Sequence, residues 1–125
     1  MDSSAPIIAL GRCAPTIPVS DIDRALQFYL KVLGMNKVFE NGSPVGFVIL
    51  KGGGAEIHLT KVSGHRGANH NVMHLMVDDA TALYDRVIAS GVKIVKGIRD
   101  AEFGLKCFVM SDPDGNRIDV GQVNE

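Results

Sequence analysis

The sequence predicts an α+β fold of two βαβββ modules in one chain, whose curved sheets form a cleft. Two observations predict this fold. The order strand, helix and three strands occurs twice along the 125 residues, and residues of the two halves correspond at an almost constant spacing. Because 125 residues match the size of one typical domain, both modules are expected in a single domain over residues 1–125.

Module 1 is expected at about residues 12–62. A strand is predicted from Cys13 to Val19, and Ser20 or Asp21 can cap the helix that follows. This helix is predicted to end at Gly34, and its apolar residues recur at steps of three and four: Ile22, Ala25, Leu26, Tyr29, Leu30 and Leu33. Turns rich in Gly, Asn and Pro then separate three predicted strands, at residues 36–40, 45–51 and 55–62.

Module 2 is expected at about residues 72–122, after a polar linker at residues 63–71. Its first strand, Val72–Val77, leads through Asp78 and Asp79 into a helix that ends at Gly91. One face of this helix is apolar: Ala80, Leu83, Tyr84, Val87 and Ile88. Three strands are predicted after it, the last two joined by the turn DPDG, at residues 93–96, 105–110 and 116–122.

Matching residues of the two halves support the repeat. Val77 follows Val19 by 58 residues. An offset of 61 residues places FVILKGGGAEIHL, which starts at Phe47, on FVMSDPDGNRIDV, which starts at Phe108. The same offset makes His58 equivalent to Asp119. We therefore expect His58 and Asp119 to face one another across a cleft between the two sheets.

The composition argues against several classes of partner. Thirteen basic and 14 acidic side chains give a net charge of -1 without any run of Lys or Arg. Nucleic acid and an anionic membrane surface are therefore not expected partners. No segment has the roughly 20 apolar residues that cross a bilayer. The first residues, MDSSAPIIALGR, contain an acid where a signal peptide is basic, so a cytoplasmic protein is expected.

The two cysteines, Cys13 and Cys107, are too few and too far apart for a zinc knuckle or a disulfide scaffold. Neither has the CxxC context of a redox thiol. Because free cysteine is among the most buried residue types, we expect both to be small buried apolar residues.

Alternation along two strands predicts a polar lining for the cleft. Glu56 and His58 share one face of their strand, Arg117 and Asp119 share one face of theirs, and the intervening residues are apolar. Polar groups on one face of a sheet indicate that this face is wet or contacts a ligand. We expect these four residues to line one cleft.

Two segments resemble a known family. APTIPVSDIDRALQFYLKVLGM resembles the opening of vicinal oxygen chelate (VOC) proteins, and EFGLKCFVMSDPDGNRIDVGQ resembles their closing strands, particularly in bleomycin-resistance proteins and glyoxalase I. The resemblance extends from Cys13 to Gln122. It implies the glyoxalase/bleomycin-resistance fold of two βαβββ modules, usually assembled as a homodimer.

The resemblance also implies four metal-ligand positions: Ala14, His58, Val72 and Asp119. Ala14 and Val72 have no side-chain donor, so no cofactor is expected. His74, about 6.6 Å beyond Val72 on the same strand face, offers an alternative in which His58, His74 and Asp119 hold Zn, Ni, Mn or Fe. Without a metal, the two histidines are either hydrogen-bonding groups of the cleft or satisfied groups with no ligand role.

The segment DAEFG resembles the loop before the seventh strand of bleomycin-resistance proteins, where an aromatic side chain stacks on a flat ligand. Phe103 has the matching position, and it either contacts the ligand or fills the core. The leading prediction is a protein that binds an aromatic or carbonyl-bearing small organic molecule without chemistry, surrounded by Glu56, His58, His74, Phe103, Arg117 and Asp119. The alternative is a metal-dependent lyase, isomerase or ring-cleaving dioxygenase that uses His58, His74 and Asp119.

Overall fold

Two modules follow one another along the chain in a computed structural model that describes residues 5–101 and 104–124. Module 1 contains β1 (Thr16–Val19), α1 (Ile22–Leu26), β2 (Asn36–Asn41), β3 (Phe47–Gly52) and β4 (Ala55–Lys61). Module 2 contains β5 (Asn71–Met76), α2 (Ala80–Ala89), β6 (Lys93–Ala101), β7 (Leu105–Ser111) and β8 (Arg117–Val123). The predicted α+β class with two βαβββ modules in one chain is confirmed. Within the described ranges, no helix is long and apolar enough to cross a membrane.

Each module forms one four-stranded sheet, and the two sheets have the same topology. The strand order is β1-β4-β3-β2 in module 1 and β5-β8-β7-β6 in module 2. The first and last strands of each module pair in parallel, and the other pairs are antiparallel. Thr16 pairs with His58, and His74 pairs with Asp119. His58 and Asp119 therefore occupy equivalent positions, as the offset of 61 residues predicts.

One face of each sheet packs against the helix of its own module. In module 1 the buried residues include Ile17, Leu50 and Leu59 below Ala25 and Tyr29. Module 2 repeats this arrangement with Met110, Ile118 and Val120 below Leu83 and Val87. One cluster of buried residues joins both modules. We call the other face of each sheet the open face, and the single-domain assignment of residues 1–125 stays a prediction.

The hairpin of module 2 is one residue longer than that of module 1. Lys51 pairs with Glu56 across the four residues 52–55, whereas Ser111 pairs with Arg117 across the five residues 112–116. β3 therefore corresponds to β7 at an offset of 60, and the predicted match of Phe47 with Phe108 is wrong. Because a shift of one residue moves a side chain to the other face of the sheet, Phe47 lies on the open face and Phe108 is buried in the core.

The start of module 1 differs from the prediction. β1 begins at Thr16 instead of Cys13, and Cys13 is exposed instead of buried. The residues before β1 follow the surface with apolar side chains in solvent, since Ile7 and Leu10 are 101% and 91% exposed. Cys107 is buried, as expected.

The helix of module 1 also changes geometry along its length. α1 continues from Gln27 to Val32 as a π-helix, in which the Leu33 N–H donates to the Phe28 carbonyl at 3.1 Å. The wider turn keeps the consecutive Phe28 and Tyr29 rings buried, in edge-to-face contact with centroids 4.8 Å apart. The predicted extent of the helix is confirmed, and its regular α-helical geometry is not.

β6 is longer than predicted, because it extends to Ala101 instead of ending at Lys96. Two irregularities in its pairing with β7 absorb the extra residues and let the strand continue. The register keeps Lys93, Lys96 and Arg99 opposite Ser111, Val109 and Cys107. These basic side chains therefore belong to the open face.

The turn between β7 and β8 joins the two modules through a polar network, by which we mean Ser20, Arg24, Tyr29, Asp112, Asp114 and Asn116. Asp112 Oδ2 accepts hydrogen bonds from the Tyr29 hydroxyl and from Asn116 Nδ2, both at 2.8 Å. Asp114 Oδ1 accepts from the Ser20 backbone N–H and from Arg24 Nη2, both at 2.9 Å. Because the acceptors are buried carboxylates, these bonds are of the strong, charge-assisted kind.

Candidate functional site

The open face of module 1 holds a carboxylate between two basic groups. His58 Nε2 lies 2.7 Å from Glu56 Oε2, and Arg12 Nε donates to Glu56 Oε1 at 2.6 Å. Lys51 Nζ lies 3.6 Å from the same Oε1 atom. The hydrogen bonds from Arg12 and then from His58 lower the pKa of Glu56 to about 2. Glu56 is therefore ionised at neutral pH and fixes a proton on His58 Nε2.

Three rings extend from His58 across the same face, and we call Phe39, Phe47 and His58 the aromatic row. The Phe47 and His58 centroids are 5.5 Å apart at 79°, and the Phe39 and Phe47 centroids are 6.3 Å apart at 66°. Phe39 is 50% exposed. Exposed ring surface beside a fixed charge can hold a flat ligand by stacking and orient it by a hydrogen bond.

Sequence reasoning missed Phe39 and Phe47. The alternation of β3 gave a usable signal, because it puts Phe47 on the face opposite the buried Val48 and Leu50. The offset of 61 residues concealed that signal by equating Phe47 with the buried Phe108.

The open face of module 2 contains a histidine–carboxylate pair. His74 Nδ1 lies 2.8 Å from Asp119 Oδ2, and the side chains are 71% and 27% exposed. When Nδ1 donates its proton to the carboxylate, the lone pair of His74 Nε2 points away from Asp119. That nitrogen can accept a hydrogen bond or a proton from a ligand.

Arg117 lies beside this pair in a cross-strand row. It pairs with Asn71 on β5 and with Ser111 on β7, and Ser111 in turn pairs with Lys93 on β6. A pocket of about 250 Å³ opens at this row between β6, β8 and the linker.

A larger cavity of about 900 Å³ lies between the β3–β4 turn of module 1 and the β5–α2 segment of module 2. Its wall includes Met35, Gly53, His74 and Arg86. Of the predicted site residues that the structure describes, His74 alone lines it.

The predicted site residues fall into two groups, one on each sheet. Glu56 and His58 belong to module 1, whereas His74, Arg117 and Asp119 belong to module 2. Across residues 5–101 and 104–124, no hydrogen bond, ion pair or ring contact joins one group to the other. Phe103 lies outside the described residues. A single cleft that gathers all six stays a prediction.

The residues of one chain do not fit a metal ion at the positions that the family resemblance implies. Ala14 and Val72 offer no donor, and His58 and Asp119 are each hydrogen-bonded to another side chain. In the part of the chain that the structure describes, no three histidine, cysteine or acidic side chains come together. We therefore derive no metal-dependent step.

Comparisons with known proteins agree with the fold. Residues 9–120 match the family model described as Glyoxalase/Bleomycin resistance protein/Dioxygenase superfamily. A protein of Synechocystis sp. named "Probable lactoylglutathione lyase" is 31% identical over 120 residues, which cover 86% of this chain and 92% of that protein.

Solved structures have the same architecture. A member of the superfamily from Sphaerobacter thermophilus is 28% identical with a TM-score of 0.76, over 92% of this chain and 98% of its own. A bleomycin-binding protein complexed with bleomycin is 24% identical with a TM-score of 0.75, over 93% of this chain and 100% of its own. At that identity the second likeness shows the fold alone.

Proposed function

Because the chain belongs to the Glyoxalase/Bleomycin resistance protein/Dioxygenase superfamily, we propose that it binds an aromatic or carbonyl-bearing small organic molecule at its open sheet faces. Binding requires shape, a stacking surface and a few polar anchors. The cytoplasm is the proposed location.

The aromatic row is the observation that supports this proposal best. Its three rings form a continuous edge-to-face series on a sheet face that no helix of the chain covers, and Phe39 at its end is half exposed. Such a series presents apolar area to a flat molecule, and stacking on it is worth about 0.5 to 1.5 kcal/mol beyond simple burial.

Polar anchors lie on both open faces. In this proposal Glu56 accepts a hydrogen bond from the ligand, while His58 and Arg117 donate to a carbonyl or another acceptor. The His74–Asp119 pair supplies a second acceptor at His74 Nε2. Phe103 adds a stacking surface from the loop before β7.

A second copy of the chain completes the cleft in this proposal. Both open faces lack a cover within one chain, and the segment before β1 exposes the apolar side chains of Ile7, Ile8 and Leu10. A homodimer would cover such apolar surface, which isolated soluble chains seldom leave in contiguous patches.

A metal-dependent enzyme is the second candidate, and the His74–Asp119 pair favours it. A carboxylate that fixes the tautomer of a histidine is the usual partner of a metal-binding imidazole, and the Synechocystis relative is named a lyase. Formation of lactoylglutathione from methylglyoxal and glutathione, with Zn, Ni, Mn or Fe added, tests this candidate. Turnover that disappears in His74→Gln supports it, and no turnover with any of the four metals contradicts it.

Fluorescence titration with phenylnaphthylamine, a neutral aromatic probe, tests the proposed binding function. We expect saturable binding that weakens by about two- to tenfold in Phe47→Leu, because one ring of the aromatic row is lost. Ile88→Ala is the matched control, since Ile88 is 50% exposed on α2, away from the open faces. Equal affinity of Phe47→Leu and the unmodified protein, or an equal loss in Ile88→Ala, would contradict the proposal.

A further inference from the structure

The open face of module 2 has an excess of positive charge. Lys93, Lys96 and Arg99 of β6 and Arg117 of β8 belong to this face. The carboxylate on the same strands is Asp119, which is already paired with His74. The whole chain has a net charge of -1, so this excess is local.

The pocket beside Arg117 concentrates that charge. Arg66, Lys93 and Arg117 line it, together with the backbone of Gly67 and Gly115. None of the three basic side chains forms an ion pair with an acid in residues 5–101 or 104–124. Lys93 and Arg117 are two strands apart, so their Cα atoms are about 10 Å apart, and their long side chains can converge on one small group.

The linker is fixed at this pocket. His65 Nε2 lies 2.8 Å from Asn116 Oδ1, and Asn116 is fully buried. Gly67 and Gly115 are in backbone contact, because a Cβ at Gly67 would overlap the Gly115 carbonyl. Arg66 lies between these two anchored residues, so the backbone that bears it is held at the rim of the pocket.

We propose that this pocket binds the oxyanion group, a carboxylate or a phosphate, of a small-molecule ligand. Guanidinium groups match the geometry of both oxyanions through paired N–H donors, and an ammonium group adds a compact charge. The Ser111 hydroxyl donates to the Asp112 carbonyl, so the basic side chains supply the donors. The inference rests on the proposed function in one respect, because it assigns the oxyanion to the ligand of the same cleft.

Titration with inorganic phosphate and with acetate, followed by the backbone amide signals of Gly67, Ser111 and Gly115, tests the pocket directly. Chloride keeps the ionic strength constant in every sample. We expect saturable shifts of these signals with at least one of the two anions. A tighter response to phosphate identifies a phosphate site, and an equal or tighter response to acetate identifies a carboxylate site. No saturable shift with either anion would overturn the proposal.

Two charge-removing variants give the matched comparison. Arg117→Gln removes a pocket cation and should weaken anion binding about tenfold. Lys106→Gln removes a cation from the opposite face of the same sheet, where Lys106 pairs with Asp100, and should leave the affinity within about twofold. Equal losses in both variants would indicate a general charge effect and would overturn the proposal.

A pair of aromatic probes separates this inference from the proposed function. Anilinonaphthalene sulfonate resembles phenylnaphthylamine but adds an oxyanion. If both proposals hold, Phe47→Leu weakens both probes and Arg117→Gln weakens the sulfonate alone. Loss of the Arg117→Gln effect alone contradicts the oxyanion pocket, whereas loss of the Phe47→Leu effect alone contradicts the proposed function.

Discussion

Removal of the Tyr29 hydroxyl should destabilise the protein through the polar network. In Tyr29→Phe, Asp112 Oδ2 loses the 2.8 Å hydrogen bond from Tyr29 and keeps the one from Asn116 Nδ2. A hydrogen bond to a charged group contributes about 1.5 to 3 kcal/mol. Since one side-chain donor remains on the oxygen, we expect the lower half of that range, about 1.5 to 2 kcal/mol.

Urea and thermal unfolding measure this loss. At roughly 4 °C per kcal/mol for a domain of this size, the Tm should fall by about 6 to 8 °C. Tyr84→Phe is the matched control, because Tyr84 is the other tyrosine of the chain and packs on Phe108 with centroids 5.0 Å apart. Its hydroxyl makes no hydrogen bond to a described residue, so Tyr84→Phe should change the free energy of unfolding by less than about 0.5 kcal/mol.

The pH dependence of stability gives a second measurement on the same variant. Burial, and then the charge of nearby Asp112, raise the pKa of Tyr29 well above its usual value. A raised pKa means that this contribution to stability is complete below about pH 10 and is lost as the pH rises further. Tyr29→Phe should lack that part of the alkaline loss. If both tyrosine variants unfold alike, the polar network does not stabilise the junction of the modules.

Three further predictions concern the open faces and assembly. In Arg12→Gln the pKa of Glu56 should rise from about 2 toward its ordinary value, because its first hydrogen-bond donor is removed; carboxyl NMR titration measures the midpoint, and an unchanged midpoint would show that Arg12 does not hold this carboxylate. Elemental analysis of protein prepared without chelator should find no stoichiometric metal, whereas tightly bound metal that is lost in His58→Ala would favour the enzyme candidate. Light scattering at micromolar concentration should give twice the 13.4 kDa chain mass, and a single species at the chain mass would exclude the homodimer under those conditions.

The order of elements could be predicted from the sequence because it depends on local signals. Helical periodicity, caps and turn residues lie within a few positions of one another, and all ten predicted helices and strands are present. The equivalence of His58 and Asp119 could also be predicted, since β4 and β8 share one offset.

The rest of the candidate site depends on residues far apart in the chain. The hairpin length decides which side of β3 faces the core, and no local pattern distinguishes an offset of 60 from one of 61. Tyr29 and Asp112 are 83 positions apart, so nothing near either residue reveals their hydrogen bond. The pairing of Arg12 with Glu56 likewise depends on where the segment before β1 lies after folding.

The extra residue in the β7–β8 hairpin also limits how this protein can evolve. Deleting one residue from the turn would rotate β7 by one position against β8, so Phe108 and Met110 would enter solvent and Val109 and Ser111 would enter the core. No sequence of single substitutions performs that exchange gradually, because every intermediate must satisfy one register or the other. The two halves of an ancestral duplication are thereby kept chemically distinct, and each is free to acquire its own specificity.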